Sequence, residues 1–149
     1  MQAIIFIGIQ GTGKSTFYRE YFLDTHIRIN LDMLKTRHRE KFIFQACLSA
    51  KQSFIIDNTN PTVEDREKYI MAAKAQGFQV LGYYFDSNLE DCKQRNNQRE
   101  GKKVIPLVGI LSTYKKLVLP SYTEGFDAIY SVKTCSDYSF IVKEWNREI

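Results

Sequence analysis

The sequence predicts an α/β fold built around a mostly parallel sheet, and two observations carry this prediction. Five short runs rich in isoleucine, valine, phenylalanine and tyrosine indicate strands, and longer polar stretches with helical spacing lie between them. The first and fourth runs are almost continuously apolar, which is typical of strands that helices cover on both faces. Strands that alternate with helices indicate right-handed crossovers and hence parallel pairing.

The predicted elements follow one another without a repeat or a linker. The strands are "AIIFIGI" (3–9), "IRIN" (27–30), "SFIID" (53–57), "VLGYYFD" (80–86) and "AIYSV" (128–132). The helices run from Lys14 to Leu23, Met33 to Ser49, Thr62 to Gln76, Leu89 to Arg99, Leu107 to Val118 and Tyr138 to Arg147. The uninterrupted alternation predicts one domain over residues 1–149.

Composition excludes several classes of protein. The chain has 149 residues, 44% of them hydrophobic and 26% charged, which is enough for one substantial core and untypical of a disordered protein. A net charge of +4 suits a phosphate-rich partner without requiring one. The apolar run at the N-terminus is too short to cross a membrane, and no later run approaches the needed length. We therefore expect no membrane partner.

The three cysteines lie far apart and form no CxxC pair. Their odd number and wide spacing favour neither a zinc site nor a disulfide framework. Reduced thiols are the remaining interpretation, and they predict a cytoplasmic protein.

A glycine-rich turn follows the first predicted strand. Residues 8–15 read "GIQGTGKS" and match the phosphate-binding pattern GxxxxGKS/T at every fixed position. Glycines let consecutive backbone N–H groups point inward around phosphate oxygens, and the next helix adds its positive N-terminal end. The alternative is a glycine-rich strand–helix turn with a solvated lysine. We predict a site for ATP and Mg²⁺ formed by Gly8, Gln10, Gly11, Thr12, Gly13, Lys14, Ser15 and Thr16, with Lys14 on the β- and γ-phosphates and Ser15 on Mg²⁺.

Polar residues elsewhere allow two interpretations each. Asp32 could accept a proton from an attacking hydroxyl, or cap the helix expected from Met33. Asp57 ends the third strand and could hold Mg²⁺ through water, or cap the turn "NTNP". Arg95 and Arg99 share a helix face, where they could bind phosphate or simply be solvated.

Several further segments, in matching order, resemble the kinase domain of polynucleotide 5′-kinases. They are "INLDMLKTRHR" (29–39), "DNTNPT" (57–62) followed by an arginine, "RNNQRE" (95–100), "IP" (105–106) and "EGFD" (124–127). The resemblance extends from the glycine-rich turn to about Val132. It implies a P-loop kinase fold with a five-stranded parallel sheet in the order 2-3-1-4-5 and a short lid around residues 95–105. The implied reaction is transfer of the γ-phosphate of ATP to a 5′-hydroxyl end of DNA or RNA.

The resemblance also implies roles for single residues. Asp32 corresponds to the general base, and Arg99 to a lid arginine that stabilises charge on the transferring phosphate, with Arg95 assisting at the nucleotide. Lys14, Asp32 and Arg99 are thus the expected catalytic residues, and Arg95 and Arg99 are the expected nucleotide-binding residues outside the glycine-rich turn. Ser15 and Asp57 are the expected Mg²⁺ ligands.

The acceptor strand is expected along a basic stretch beyond Asp32. Arg39 and Lys35 match acceptor-binding positions of the family, and Arg37 lies between them; the alternative for all three is a solvated face. One departure is Leu31, because the family commonly has Asn-Arg-Asp where this chain has Asn-Leu-Asp.

Two other functions stay open at this point. A small-molecule kinase acting on a sugar or an antibiotic would use the same Lys14 and Asp32, and a non-catalytic nucleotide-binding module would use neither Asp32 nor Arg99. Relatives often carry a phosphatase or ligase domain, for which this chain has no room, so we expect any such activity in a separate partner.

Overall fold

The computed structural model describes residues 1–86, 107–135 and 139–145. Within these residues the helices and strands alternate as predicted. The elements are β1 (Gln2–Ile7), α1 (Lys14–Tyr21), β2 (Ile27–Ile29), α2 (Leu31–Leu34), α3 (Arg37–Ala50), β3 (Phe54–Ile56), α4 (Val63–Ala75), β4 (Gln79–Asp86), α5 (Leu107–Lys116), a 3₁₀ turn (Tyr122–Glu124), β5 (Ala128–Thr134) and β6 (Phe140–Glu144).

The sheet has the order β2-β3-β1-β4-β5-β6. The first five strands pair in parallel, so the α/β class and the predicted order 2-3-1-4-5 are confirmed. The predicted number of five strands is corrected by one, because β6 pairs antiparallel with β5 at the edge. The carboxyl ends of β1, β2 and β3 therefore meet at one edge, where open α/β sheets bind their ligands.

The central strand β1 is buried on both faces, as its continuous apolar run predicts. Ile4 and Phe6 pack with α1 residues such as Phe17, whereas Ile5 and Ile7 pack on the opposite side. Alternate residues of a strand point to opposite faces, so one apolar run supplies both cores. Each of these β1 residues is at most 1% exposed.

The helix expected from Met33 to Ser49 is two helices. α2 ends at Leu34, and its C-cap residue Lys35 has a positive φ of 76°. The Thr36 hydroxyl then accepts a hydrogen bond from the Arg39 amide at the start of α3. A threonine cap satisfies an amide that the new helix would leave unpaired. The break separates the short α2 from the long α3.

The prediction of a helix from Tyr138 to Arg147 is wrong for the residues that the structure describes there. Residues 140–144 form strand β6, and the Cys135 amide after β5 donates to the Ser139 carbonyl before β6 at 2.8 Å. The free edge of β5 offers backbone partners that an isolated short helix lacks. Trp145, expected to pack a last helix, instead donates its amide to Ile129 and places its ring edge-on to Tyr84 at 5.7 Å.

A buried arginine joins two of the segments that carry the family resemblance. Arg66, 0% exposed, lies 3.1 Å from the Glu124 carboxylate and donates to the carbonyls of Thr62 and Val118. A buried guanidinium is tolerated only when charge and hydrogen bonds compensate it. The arginine after "DNTNPT" therefore fixes α4 to the segment that ends in "EGFD".

Cys47 and Cys135 are free thiols, and Cys92 lies outside the described residues. Among the helices that the structure describes, none combines the length and the apolar character needed to cross a bilayer.

Gly82 gives a first test of the core. A Cβ atom at this β4 position would lie 2.9 Å from the ring of Phe126, which is 3% exposed. We expect Gly82→Ala to lower the free energy of unfolding by about 1–3 kcal/mol, because the ring has little room to move. Chemical denaturation measures this directly.

The matched variant is Phe126→Leu, which removes the ring that the new methyl group meets. The double variant should lose less stability than the sum of the two single changes. Additive losses would show that the methyl group and the ring do not meet.

Candidate active site

A cavity of about 1060 Å³ opens at the carboxyl edge of the parallel strands. Its walls come from three places: the glycine-rich turn with α1 and Leu23, the segment from Arg28 to Lys35, and residues 57–59 after β3. Three connections of the sheet thus contribute to one site. The predicted nucleotide-binding residues from Gln10 to Thr16, together with Asp32, Lys35 and Asp57, line this cavity.

The glycine-rich turn has the backbone of a phosphate-binding loop. Gly11 and Gly13 have φ values of 84° and 88°, which residues with a Cβ adopt only under strain. Gly13 is also the N-cap of α1 and brings no side chain to its first turn. The α1 amides and the positive end of the helix therefore face the cavity, where an anion is stabilised.

The Lys14 ammonium lies within its own loop. Its Nζ donates to the Gly8 and Ile9 carbonyls at 3.0 and 2.8 Å. This position puts a positive charge beside the backbone amides of the loop. Lysine on a flexible stem can exchange such carbonyls for phosphate oxygens without moving the backbone.

Two contacts hold the loop in place from outside, and a third lies within the loop. The Gly8 amide donates to the Thr59 carbonyl at 3.0 Å, and the Thr134 hydroxyl at the end of β5 donates to the Thr12 carbonyl at 3.1 Å. The Thr12 hydroxyl in turn donates to the Ile9 carbonyl. A loop fixed at these points is preorganised for its ligand, so little ordering is required on binding.

Ser15 and Asp57, the expected metal ligands, lie together. The Ser15 hydroxyl donates to Asp57 Oδ2 at 3.2 Å, and both residues line the cavity. In the described part of the chain no cluster of three or more His, Cys, Asp or Glu could hold a metal. A hydroxyl and one carboxylate fit Mg²⁺, which keeps several waters and takes its remaining ligands from phosphates.

Asp32 does not cap α2, which was one of its two possible roles. The N-cap of α2 is Asn30, whose side chain accepts from the Met33 amide at 2.9 Å. Asp32 lies in the first turn, exposed, and lines the cavity. Its carboxylate is thus available to a ligand on the same side as the phosphate-binding loop.

A second layer of polar residues supports α2. The Asn58 side chain accepts from the Leu31 amide at 2.8 Å and donates to Glu40 at 3.0 Å. Glu40, 3% exposed, also accepts from the Tyr69 hydroxyl at 2.7 Å and from Arg37 at 3.0 Å. These bonds tie the turn that carries Asp32 to α3 and α4.

Two opposing effects act on the Glu40 carboxyl. Burial alone would raise its pKa, but the hydrogen bonds from Tyr69, Asn58 and Arg37 outweigh burial and hold the pKa below its ordinary value of 4.5. At neutral pH Glu40 is therefore an anion that three donors share. Burial and the bond to Glu40 raise the pKa of the Tyr69 hydroxyl, which stays protonated and donates.

The three basic residues expected at the acceptor differ in position. Lys35 lines the cavity. Arg39 donates to the Leu34 carbonyl at 3.2 Å, so its guanidinium contacts the end of α2, next to Lys35. Arg37 donates instead to Glu40 and Tyr69 and is not part of the cavity wall. Of the three, Lys35 alone lines the cavity, while Arg39 contacts the carbonyl of the residue before Lys35.

Arg95 and Arg99, the helix expected from Leu89 to Arg99 and the lid expected around residues 95–105 lie outside the described residues. Their roles stay predictions.

Two arginines of the cavity wall were missed by sequence reasoning. Arg19 lies in the last turn of α1, and Arg28 on β2 contacts both Ser15 and Asp57. A signal for Arg28 exists in the sequence, because a charge inside the short strand "IRIN" interrupts an apolar run. No comparable signal marks Arg19, which sits among ordinary polar helix residues.

Comparison with known proteins adds a family and several relatives. The family described as an AAA domain matches residues 35–109. A relative from Acanthamoeba polyphaga mimivirus is 34% identical over 98% of this chain, and one from Schizosaccharomyces pombe (strain 972 / ATCC 24843) is 27% identical over 97%. The names of both include "bifunctional polynucleotide phosphatase/kinase", which confirms the resemblance drawn from the motifs.

The two relatives are longer proteins, and the alignment covers 37% of each. Among solved structures, Kti12 of Chaetomium thermophilum, determined in complex with ADP-AlF3, superposes with a TM-score of 0.68 at 14% identity. That match covers 91% of this chain and 92% of that one. At this level of identity the likeness supports the P-loop fold alone.

The Glu40 network gives a test of the support beneath the site. We expect Glu40→Gln to cost about 1.5–3 kcal/mol at pH 7, because it removes the charge that three hydrogen bonds share. The native pKa is depressed, so this contribution is complete above pH 4.5 and disappears as the pH falls below it. Unfolding measured between pH 3 and 7 should show the two proteins converging at acid pH.

The matched control is Glu67→Gln, which makes the same change at an exposed α4 position. It should unfold like the original protein at every pH. A constant stability difference for Glu40→Gln across the whole pH range would contradict the assignment of Glu40 as a shared anion.

Proposed function

This chain belongs to the AAA domain family, and on that premise we propose that it is an ATP- and Mg²⁺-dependent kinase of polynucleotide ends. It transfers the γ-phosphate of ATP to the 5′-hydroxyl of DNA or RNA. The names of the two curated relatives support this choice of substrate. The proposal includes a cytoplasmic location, which the free thiols of Cys47 and Cys135 favour.

One observation carries the proposal: a single cavity is shared by the phosphate-binding loop, Asp32 and Lys35. A kinase has to hold a phosphoryl donor and a proton acceptor on the two sides of one reacting group. Residues 10–16 form the donor side, and α2 forms the acceptor side. A module that only binds nucleotide has no use for an exposed carboxylate across the cavity from the loop.

In the proposed reaction the 5′-oxygen attacks the γ-phosphorus in line. The bond from phosphorus to the β–γ bridging oxygen breaks, ADP leaves with that electron pair, and the proton of the 5′-hydroxyl passes to Asp32. Lys14 and the loop amides hold the phosphates and stabilise the charge on the leaving group. Arg99, with Arg95, is proposed to stabilise the transferring phosphoryl group.

Ser15 and Asp57 would hold the Mg²⁺ ion of the nucleotide. When bound, the ion neutralises charge on the phosphate oxygens. The contribution of the chain is to present a hydroxyl and a buried carboxylate, 3.2 Å apart, beside the phosphate-binding loop.

The acceptor strand is proposed to leave the cavity past Lys35 and Arg39. Arg39 contacts the carbonyl of Leu34, so both cations flank the turn that follows Asp32. Arg37, which pairs with Glu40, would reach the strand only by leaving that pair. Phosphatase and ligase activities that prepare and join such ends are proposed partners.

Asp32→Asn tests the chemistry. Transfer from labelled ATP to a 5′-hydroxyl oligonucleotide should fall by roughly 10²–10⁴-fold, because the general base is lost. Folding should be unchanged, since Asn30 rather than Asp32 caps α2. Affinity for ATP should also stay constant in a direct binding titration.

Glu67→Gln, which changes an exposed α4 carboxylate to an amide, serves as the control and should transfer at the original rate. A folded Asp32→Asn protein with full activity would remove Asp32 from the mechanism. Absence of transfer by the original protein, with normal ATP binding, would favour the nucleotide-binding module.

The acceptor is tested by the salt dependence of binding. Contact with two or three phosphates of a single strand gives a slope of log K against log salt of roughly −1.4 to −2.1. Arg39→Ala should flatten the slope by about 0.7 and leave ATP affinity unchanged. Fluorescence anisotropy of a labelled oligonucleotide at constant Mg²⁺ measures both.

The matched control is Lys143→Ala on β6, at the opposite edge of the sheet from β2. It removes the same charge and should leave the slope unchanged. A slope near zero for the original protein would favour a small-molecule acceptor, such as a sugar or an antibiotic, over a polynucleotide.

A further inference from the structure

Arg28 is a cavity residue that the proposed mechanism does not use. It lies on β2, and its side chain is 26% exposed. Its Nε donates to Asp57 Oδ2 at 2.7 Å, and its Nη2 donates to the Ser15 hydroxyl at 2.8 Å. Arg28 therefore contacts both side chains that are proposed to hold Mg²⁺.

The geometry explains why an arginine suits this position. The Asp57 side chain is 1% exposed, and a buried carboxylate needs a charged or hydrogen-bonding partner. The planar guanidinium offers two donors in a fixed relation, which matches two oxygens that lie 3.2 Å apart. One side chain thus fixes the orientation of both Ser15 and Asp57.

The same contact opposes a metal ion. An ion in direct contact with Oδ2, at about 2.1 Å, would come within roughly 5 Å of the guanidinium, and an ion held through one water would lie roughly 2 Å farther away. Two cations at that separation repel each other strongly in a partly buried site. A free divalent ion must therefore compete with Arg28 for the Asp57 carboxylate.

We propose that Arg28 is a positioning residue that holds Ser15 and Asp57 in place and makes divalent-metal binding depend on the nucleotide. The inference rests on the proposed function, because that function assigns the metal to these two residues. The triphosphate brings several negative charges into the cavity, and these offset both the metal and the arginine. Metal and nucleotide then bind more tightly together than either does alone, and by the same factor in each direction.

Mn²⁺ titration tests the inference without using catalysis. Free Mn²⁺ is followed by electron paramagnetic resonance, with and without a non-hydrolysable ATP analogue. Arg28→Met should bind Mn²⁺ about tenfold more tightly than the original protein when nucleotide is absent. The ratio of the two Mn²⁺ dissociation constants, without and with the analogue, should shrink by a similar factor.

Three variants make this result specific. Arg19→Met removes the same charge from the same cavity but from a residue that donates to Thr16, and it should leave Mn²⁺ affinity nearly unchanged. Arg28→Lys keeps the charge and should restore weak metal binding. Arg28→Gln removes the charge while keeping an amide donor, and it replaces Arg28→Met should that protein not fold.

The outcomes separate cleanly. Equal Mn²⁺ affinity for folded Arg28→Met and the original protein would overturn the inference. So would weaker binding, because Arg28 would then organise the ligands without competing. Asp57→Asn should lose Mn²⁺ binding in the presence of the analogue; if it does not, the metal assignment in the proposed function fails together with the inference. A correct Mn²⁺ result with no phosphate transfer to oligonucleotides would overturn only the proposed acceptor.

Discussion

The buried carboxylate of Asp57 is the constraint on which the site depends. Its backbone joins β3 to the end of β2, through its amide to Ile29 and its carbonyl to Asn30. Its side chain joins both strands to α1, through Arg28 and Ser15. A charge that is 1% exposed requires these partners, so the residue that would bind a metal also holds three elements together. The partners that the buried Asp57 carboxylate requires therefore also fix the positions of the groups around the proposed metal site.

The motifs that carry the family resemblance are largely structural in this chain. Within "DNTNPT", Asn58 holds the first amide of α2, and Asn60 donates to the Phe6 carbonyl of the central strand at 2.8 Å. Arg66 joins the same region to Glu124 in "EGFD". Asn60 and Arg66 are buried, and each is held by specific partners, although Arg66 Nη1 itself makes no hydrogen bond. These contacts restrict how the loops can be arranged. The residues that carry the resemblance therefore include ones that hold the structure together as well as the proposed reacting groups.

The sequence pattern predicted the α/β class and the phosphate-binding turn, and the family resemblance predicted the strand order, but local breaks were missed. Continuous apolar strands and a glycine-rich turn are strong local signals, and both survive in the structure. The break at Lys35 was missed because one left-handed residue and one threonine cap leave a weak trace in a basic stretch. β6 was missed because its stability comes from the edge of β5, a partner that spacing within residues 138–147 does not reveal. Arg28 was missed for the same reason, because its partner Asp57 is 29 positions away in the sequence.

Lys14 and Arg28, two of the cations that line the cavity, differ in what a ligand would have to replace. Lys14 donates to carbonyl oxygens, which carry only partial charge, so a phosphate oxygen is the stronger acceptor and the exchange is favourable. Arg28 donates to a full carboxylate, so a phosphate alone gains little by replacing it. A metal ion bound to phosphate can satisfy the Asp57 carboxylate while the phosphate satisfies the arginine, and neither charge is then left unpaired. Lys14 therefore favours the binding of any phosphate, whereas Arg28 favours the binding of a phosphate that carries a metal ion.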